Sequence, residues 1–246
     1  TVITRESGKP IKLALAEVDR AVLTFQTAAE ETKRLPKDYI DLDWTTAGEN
    51  REGLIKYFPV GLVAGFTPFN FPLNLVAHKV APALATGCPV IIKPSPKTPL
   101  TALELARIID KTELPKGAFS VIPLMNDNAH LLLEDHRVKM ISFTGSSQTG
   151  WLVRQKAGKK RVVLELGGNA GVIVSSDCEL DQAVAKCVNG SFSFSGQTCI
   201  HTQRIFVQKE IFDSFLDQFI SLVKKLKMGD PENPDTDISV LIDKTS

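Results

Sequence analysis

Cys199 closes the short polar loop Ser195-Gly196-Gln197-Thr198-Cys199, and Glu165 stands upstream in the block Glu165-Leu166-Gly167-Gly168. A thiolate adds readily to a carbonyl carbon, and a carboxylate nearby can activate the water that cuts the thioester left after oxidation. That pairing is what covalent oxidation of an aldehyde needs. Each residue also has a plainer reading. A free cysteine is usually a small buried apolar group, which suits Cys88, Cys178 and Cys187; Cys199 differs by its polar, glycine-containing loop. A glutamate between Val163-Leu164 and Leu166 is costly to bury as an anion, so it is expected to be paired or partly wet, the alternative being an edge-strand glutamate facing water.

Three further segments carry residues suited to a site. In Gly65-Phe66-Thr67-Pro68-Phe69-Asn70-Phe71-Pro72, an apolar run enters a proline-flanked turn, where the Asn70 amide can meet a developing oxyanion or, more simply, cap the next helix. In Val90-Ile91-Ile92-Lys93-Pro94-Ser95-Pro96, Lys93 ends an apolar run and is expected to point its ammonium into a crevice, toward nucleotide oxygens. In Phe143-Thr144-Gly145-Ser146, the glycine permits close backbone approach, and the start of a helix offers free N–H donors for a pyrophosphate. This last segment is no Gly-x-Gly-x-x-Gly fingerprint and is weak by itself.

These segments require a scaffold, and the pattern of the chain indicates which. Apolar spacing predicts one or two amphipathic helices over 9–35, then a hairpin from the runs 39–44 and 54–58. Strand signals follow at 60–66, 89–93, 119–123, 138–144, 161–166, 170–175 and 203–208. Helix signals fill the gaps at 73–85, 100–111, 128–136, 147–156, 180–192 and 210–227, with a capping box expected at Thr101-x-x-Glu104. Such alternation implies an α/β fold, a doubly wound parallel sheet, whose ligands bind beyond the carboxyl ends of the strands. The 246 residues carry a net charge of +1, so no global field draws nucleic acid or anionic lipid. No apolar stretch is long enough to span a bilayer and no signal segment opens the chain, which makes the cytoplasm the expected location. The four cysteines form no Cys-x-x-Cys pair, so neither a metal site nor a disulfide framework is expected.

Phe-Asn-Phe-Pro at 69–72, Lys-Pro-Ser-Pro at 93–96, Phe-Thr-Gly-Ser at 143–146, Glu-Leu-Gly-Gly at 165–168 and Gly-Gln-Thr-Cys at 196–199 occur in one order. In that order the chain resembles the aldehyde dehydrogenase superfamily from end to end, including Glu6-Ser7-Gly8-Lys9-Pro10 and Met228-Gly229-Asp230-Pro231. The resemblance implies a Rossmann-like cofactor domain over 1–37 and 59–167, an oligomerisation hairpin over 38–58, and the first part of a catalytic domain over 168–246. It implies Cys199 as nucleophile, Glu165 as the base for water, and Asn70 with the Cys199 backbone amide as an oxyanion hole. NAD or NADP would lie along Thr67, Pro68, Phe69, Lys93, Ser95, Pro96, Phe143, Thr144, Gly145, Ser146, Leu166 and Gly167.

The thiohemiacetal would pass hydride to the nicotinamide, and the thioester would then be hydrolysed. Pro96 stands where NAD-preferring members often have Glu, which, with Lys97 adjacent, implies that NADP is accepted. Phe69 replaces a frequent Trp and keeps an aromatic wall. The family's later Glu-Ile-Phe-Gly-Pro motif is absent, so the chain reads either as a fragment of a longer protein or as an unusual short form; the resemblance implies a full-length protein that forms homodimers or homotetramers and takes a small aldehyde. No arginine flanks Cys199 to mark a carboxylated substrate. Capture of the thioester by coenzyme A, or a non-catalytic dinucleotide-binding protein of this fold, are the competing readings.

Overall fold

The computed structural model describes residues 1–246. Two helices open the chain, α1 (Val2–Ser7) and α2 (Ile11–Glu31), separated by Gly8, whose φ of 71° lies in the left-handed region that glycine enters without penalty. The first helix escaped the periodicity reading because its 6 residues are too few to show a period. In α2 the buried positions are Ala14, Glu17 and Ala21, a narrow stripe at helical spacing, one member of which is charged.

The hairpin joins β1 (Lys37–Asp41) to β2 (Glu52–Lys56), with Tyr39 opposite Leu54. Both strands begin two residues before the expected runs. Nearly all their residues are exposed, so no buried face imposed an alternation that could mark their ends.

From there β3 (Leu62–Phe66), α3 (Asn74–Ala85), β4 (Val90–Lys93), α4 (Leu100–Ile109), β5 (Phe119–Val121), α5 (His130–Glu134), β6 (Val138–Gly145), α6 (Ser147–Lys156) and β7 (Arg161–Leu166) alternate. The five strands form one parallel sheet in the order β5-β4-β3-β6-β7. Side chains of β3 feed both faces: Val63 packs with Val76, Val80 and Ala102 of α3 and α4, whereas Ala64 and Phe66 pack with Leu132, Leu133 and Val153 of α5 and α6. The chain leaves β3 for β4 on one side and later returns to β6 on the other. This reversal opens a crevice at the carboxyl ends of β3 and β6.

A second small unit follows. Strands β8 (Gly171–Val174) and β9 (Arg204–Val207) pair in parallel, and α7 (Leu180–Phe192) and α8 (Phe212–Val223) cover one face through Val184, Val188 and Phe215. The expected capping box does not form. Helix α4 begins at Leu100, so Thr101 lies within it, and the N–H groups of Leu100 and Thr101 donate to Glu6 of α1 instead. Glu104 pairs with Arg107.

Candidate active site

A cavity of about 640 Å³ opens at the strand-order reversal and is closed on its far side by the loop that follows α7. Asn70 after β3, Glu165 on β7 and Cys199 on that loop all line it. So do Pro68, Phe69, Thr144, Gly145, Ser146, Leu166 and Gly167, whereas Thr67, Lys93, Ser95, Pro96 and Phe143 lie outside the lining. The parallel sheet delivers Asn70 and Glu165 to one edge, and the loop after α7, bonded to Asn70 through the Gln197 carbonyl, brings Cys199 to them.

The nucleophile loop has an unusual backbone. Phe194, Ser195 and Gly196 have φ of 51°, 55° and 75°, and each of the two non-glycine residues costs about 1–2 kcal/mol in that conformation. Several contacts hold it. The Ser195 hydroxyl donates to the Ser239 carbonyl at 3.0 Å, the Gln197 side-chain oxygen accepts from the Ile242 N–H at 3.0 Å, and the Phe194 ring is fully buried. Cys199 itself is exposed, while Cys88 and Cys187 are buried. Burial and the neighbouring Cys178 push the Cys187 thiol up, in keeping with an inert residue.

Asn70 does not cap α3. Its side-chain amide donates to the Gln197 carbonyl at 2.8 Å, two residues before Cys199, and Glu17 accepts the N–H groups of Leu73 and Asn74 in its place. One hydrogen of the Asn70 amide therefore remains for a ligand. The backbone N–H of Cys199 is likewise engaged by no other group of the chain.

Glu165 is exposed and β7 is an edge strand of the sheet, as the plainer reading expected, and the residue also lines the cavity. Lys93 is the reverse case. Strand β4 lies inside the sheet, and the segment after β5 covers its end, so the Lys93 ammonium is buried and donates to Asn126 Oδ1 at 2.8 Å and to the Pro94 carbonyl at 3.3 Å. Burial pushes that ammonium below its usual range. Lys97 is paired with Asp243. His201 precedes β9 and donates from Nδ1 to the Thr198 carbonyl at 2.7 Å.

Gly145 has a definite steric role. A Cβ there would stand 2.7 Å from the Phe143 ring, so only glycine lets the chain turn into α6 at this point. Ser146 caps that helix by accepting the Thr149 N–H at 3.3 Å. The other N–H groups of the first turn have no partner within the helix and suit an anion.

Two basic residues of the cavity lining, Lys79 and His78, were not singled out from the sequence. Lys79 of α3 is buried, donates to Ser142 Oγ at 3.0 Å and Thr144 Oγ1 at 2.8 Å, and is lowered by burial to about 8 against an opposing pull from Glu165. His78 lines the same cavity, and burial followed by the charges of Arg20 and Lys79 pushes its imidazole down. Arg20 of α2 is therefore close to His78, although more than fifty residues separate them. Helical spacing in α3 places 78 and 79 at the cavity, but nothing local reveals that α2 crosses there.

The aldehyde dehydrogenase family model matches residues 1–246. The chain belongs to that family. Aldehyde dehydrogenase 21 from Physcomitrella patens, solved in complex with the reaction product succinate, is 47% identical and superposes with a TM-score of 0.96 over 99% of this chain and 51% of its own. The 3-sulfolactaldehyde dehydrogenase of Priestia aryabhattai is 41% identical over 244 residues, 98% of this chain and 51% of that protein. A glyceraldehyde-3-phosphate dehydrogenase from Methanocaldococcus jannaschii, solved with NADP, is 39% identical with a TM-score of 0.92, over 98% of this chain and 53% of its own. The α/β fold expected from the sequence is that of these aldehyde dehydrogenases, and the chain spans about half the length of the relatives it matches.

Proposed function

We propose that the whole protein oxidises a small anionic aldehyde to the carboxylic acid, using NAD or NADP. The observation that carries this reading is the convergence of Cys199, Asn70 and Glu165 on one cavity, with the Asn70 amide bonded to the nucleophile loop. The Cys199 thiolate attacks the aldehyde carbon. The oxyanion so formed accepts the remaining Asn70 N–H and the free N–H of Cys199, donors already in place before charge develops. When bound, the nicotinamide supplies the hydride acceptor that allows the adduct to become a thioester. Glu165 takes a proton from water, the water attacks the thioester, and the departing acid restores the thiolate. A base at this place favours hydrolysis over transfer to coenzyme A.

The residues present fit a dinucleotide. Gly145, Ser146 and the first turn of α6 would hold the pyrophosphate, with Thr67, Pro68 and Phe69 on one side and Leu166 and Gly167 on the other. Lys93 and Ser95 would receive the adenosine ribose, and Pro96 offers no carboxylate to repel a 2′-phosphate, in line with the NADP bound by the archaeal relative. Lys97, being paired with Asp243, adds little to that preference. Lys79 gives the cavity lining one cation that suits the second charge of an aldehyde acid, in line with the succinate held by the moss enzyme.

We place the cofactor domain at 1–37 and 59–167, the oligomerisation hairpin at 38–58 and the start of the catalytic domain at 168, in a cytoplasmic homo-oligomer. No helix is long and apolar enough to cross a membrane. One assay tests the chemistry. The whole protein and its Cys199→Ala variant are given succinate semialdehyde or propanal, each with NAD and with NADP. The parent should turn over the anionic aldehyde with both cofactors and the variant should be inactive; residual turnover in the variant would refute the nucleophile.

A further inference from the structure

The most deeply buried charges of the chain lie beneath the candidate site and have no part in the reaction derived above. Lys9 and Glu17 form an ion pair with both side chains 1% exposed. Glu17 has a second task, since its other oxygen accepts the N–H groups of Leu73 and Asn74 at 2.8 and 3.0 Å and so anchors the end of the turn that carries Asn70. The Lys9 ammonium lies 3.8 Å from the Phe71 ring centroid and 4.7 Å from that of Phe194. Phe71 follows Asn70 directly. Phe194 begins the left-handed segment that leads to Cys199.

We infer that Lys9 and Glu17 form a positioning pair that sets the Asn70 amide against the Cys199 loop. This rests on the reading of Asn70 and Cys199 as oxyanion donor and nucleophile.

The geometry supports a positioning role over simple stabilisation. A buried ion pair is often no more stabilising than apolar groups of similar shape, so its retention calls for another reason. Here one carboxylate caps the helix start after the oxyanion turn, and one ammonium faces an aromatic ring from each of the two segments that must meet. The same neighbourhood is tied a second time. Ser239 accepts from Ser195 through its carbonyl and donates from its hydroxyl to the Gly8 carbonyl, next to Lys9. The strained loop is thus referenced to residues 8 and 9 by two routes, and Asn70 to residue 17. A shift in the pair would move donor and nucleophile relative to one another.

The test is a double-mutant cycle in the whole protein, with kcat expressed per Cys199 thiol titrated by a reactive aldehyde analogue. Glu17→Gln and the charge-free double variant Lys9→Met/Glu17→Gln should each lower kcat on the order of tenfold or more, a larger change than any in the cofactor KM. In an Asn70→Ala background the same changes should add almost nothing, because the group they place is gone. Effects that multiply fully with Asn70→Ala, or a parental kcat per titrated thiol, would overturn the proposal and leave the pair a structural feature. Should Asn70→Ala itself leave kcat unaltered, the reading of the site fails, and the positioning role with it. Phe194→Leu, which keeps the ion pair and removes one of its aromatic contacts, carries the same cycle if the charge variants do not fold. A solely structural role would lower thermal stability in all backgrounds equally and would not produce the non-additivity.

Discussion

At the scale of single residues, Lys79 shows what local sequence conceals. It sits within an expected helix, where a lysine reads as a solvent-facing charge, yet Gly65 of the neighbouring strand leaves room for its stem and its ammonium reaches Ser142 and Thr144. Desolvation lowers it to about 8 from 10.5. Below that pH the charged form is disfavoured in the folded state and costs stability. Between about 8 and 10.5 the unfolded chain binds more protons than the folded one, so stability should rise with pH across that window. Lys79→Met lacks this contribution. Urea unfolding from pH 7 to 10.5 should show the parent gaining on the variant by up to about 3 kcal/mol, at about 1.4 kcal/mol per pKa unit. A constant difference between the two would show that the ammonium is not desolvated. Cys199 and Glu165 were legible because their motifs are local; the burial of Lys79 depends on packing against β3 and β6, and the approach of Arg20 to His78 on α2 meeting α3, neither of which a local window records.

At the scale of elements, bounds were readable wherever packing imposed a period. The expected ranges for β7, α6 and α7 coincide with the observed ones, since each turns an apolar face to a core. Elements stabilised from a distance were misread. The start of α4 is capped by Glu6, remote in sequence, rather than by the expected Thr101 box, and the hairpin, exposed on nearly all sides, gave no burial pattern from which to take its ends. Within that hairpin Gly48 is the constrained point. A Cβ there would lie 1.7 Å from the Leu42 carbonyl oxygen, a backbone atom that cannot move without displacing β1. Gly48→Ala should therefore disrupt the hairpin at a cost above the about 1–3 kcal/mol typical of overpacking. If the hairpin serves assembly, sedimentation of the whole protein should show a smaller species, with the alkylation rate of Cys199 unchanged. Intact assembly in that variant would remove the hairpin from the interface.

At the scale of the molecule, the two units differ in how far they are covered. The five-stranded sheet has helices and apolar clusters on both faces, whereas β8 and β9 are covered on one face alone. Val172, Val174, Ile205 and Val207 pack beneath α7 and α8, while Ile173 and its cross-strand partner Phe206 turn the other way, 83% and 55% exposed. A parallel pair of strands is not a stable sheet by itself, and parallel sheets are normally buried on both sides. The chain spans about half the length of its relatives, and the outer face of β8 and β9 is predicted to be covered in the whole protein. Ile173→Thr separates the two situations, because it keeps the β-branched shape and removes apolar surface. In residues 1–246 alone the side chain faces water, and the change should alter unfolding free energy by less than about 0.5 kcal/mol. In the whole protein it should cost about 2 kcal/mol or more, the burial of an aliphatic side chain together with an unpaired hydroxyl. Equal effects in the two proteins would mean that the outer face of β8 and β9 stays in water, and the second unit would then have to be stable as the half-covered layer seen here.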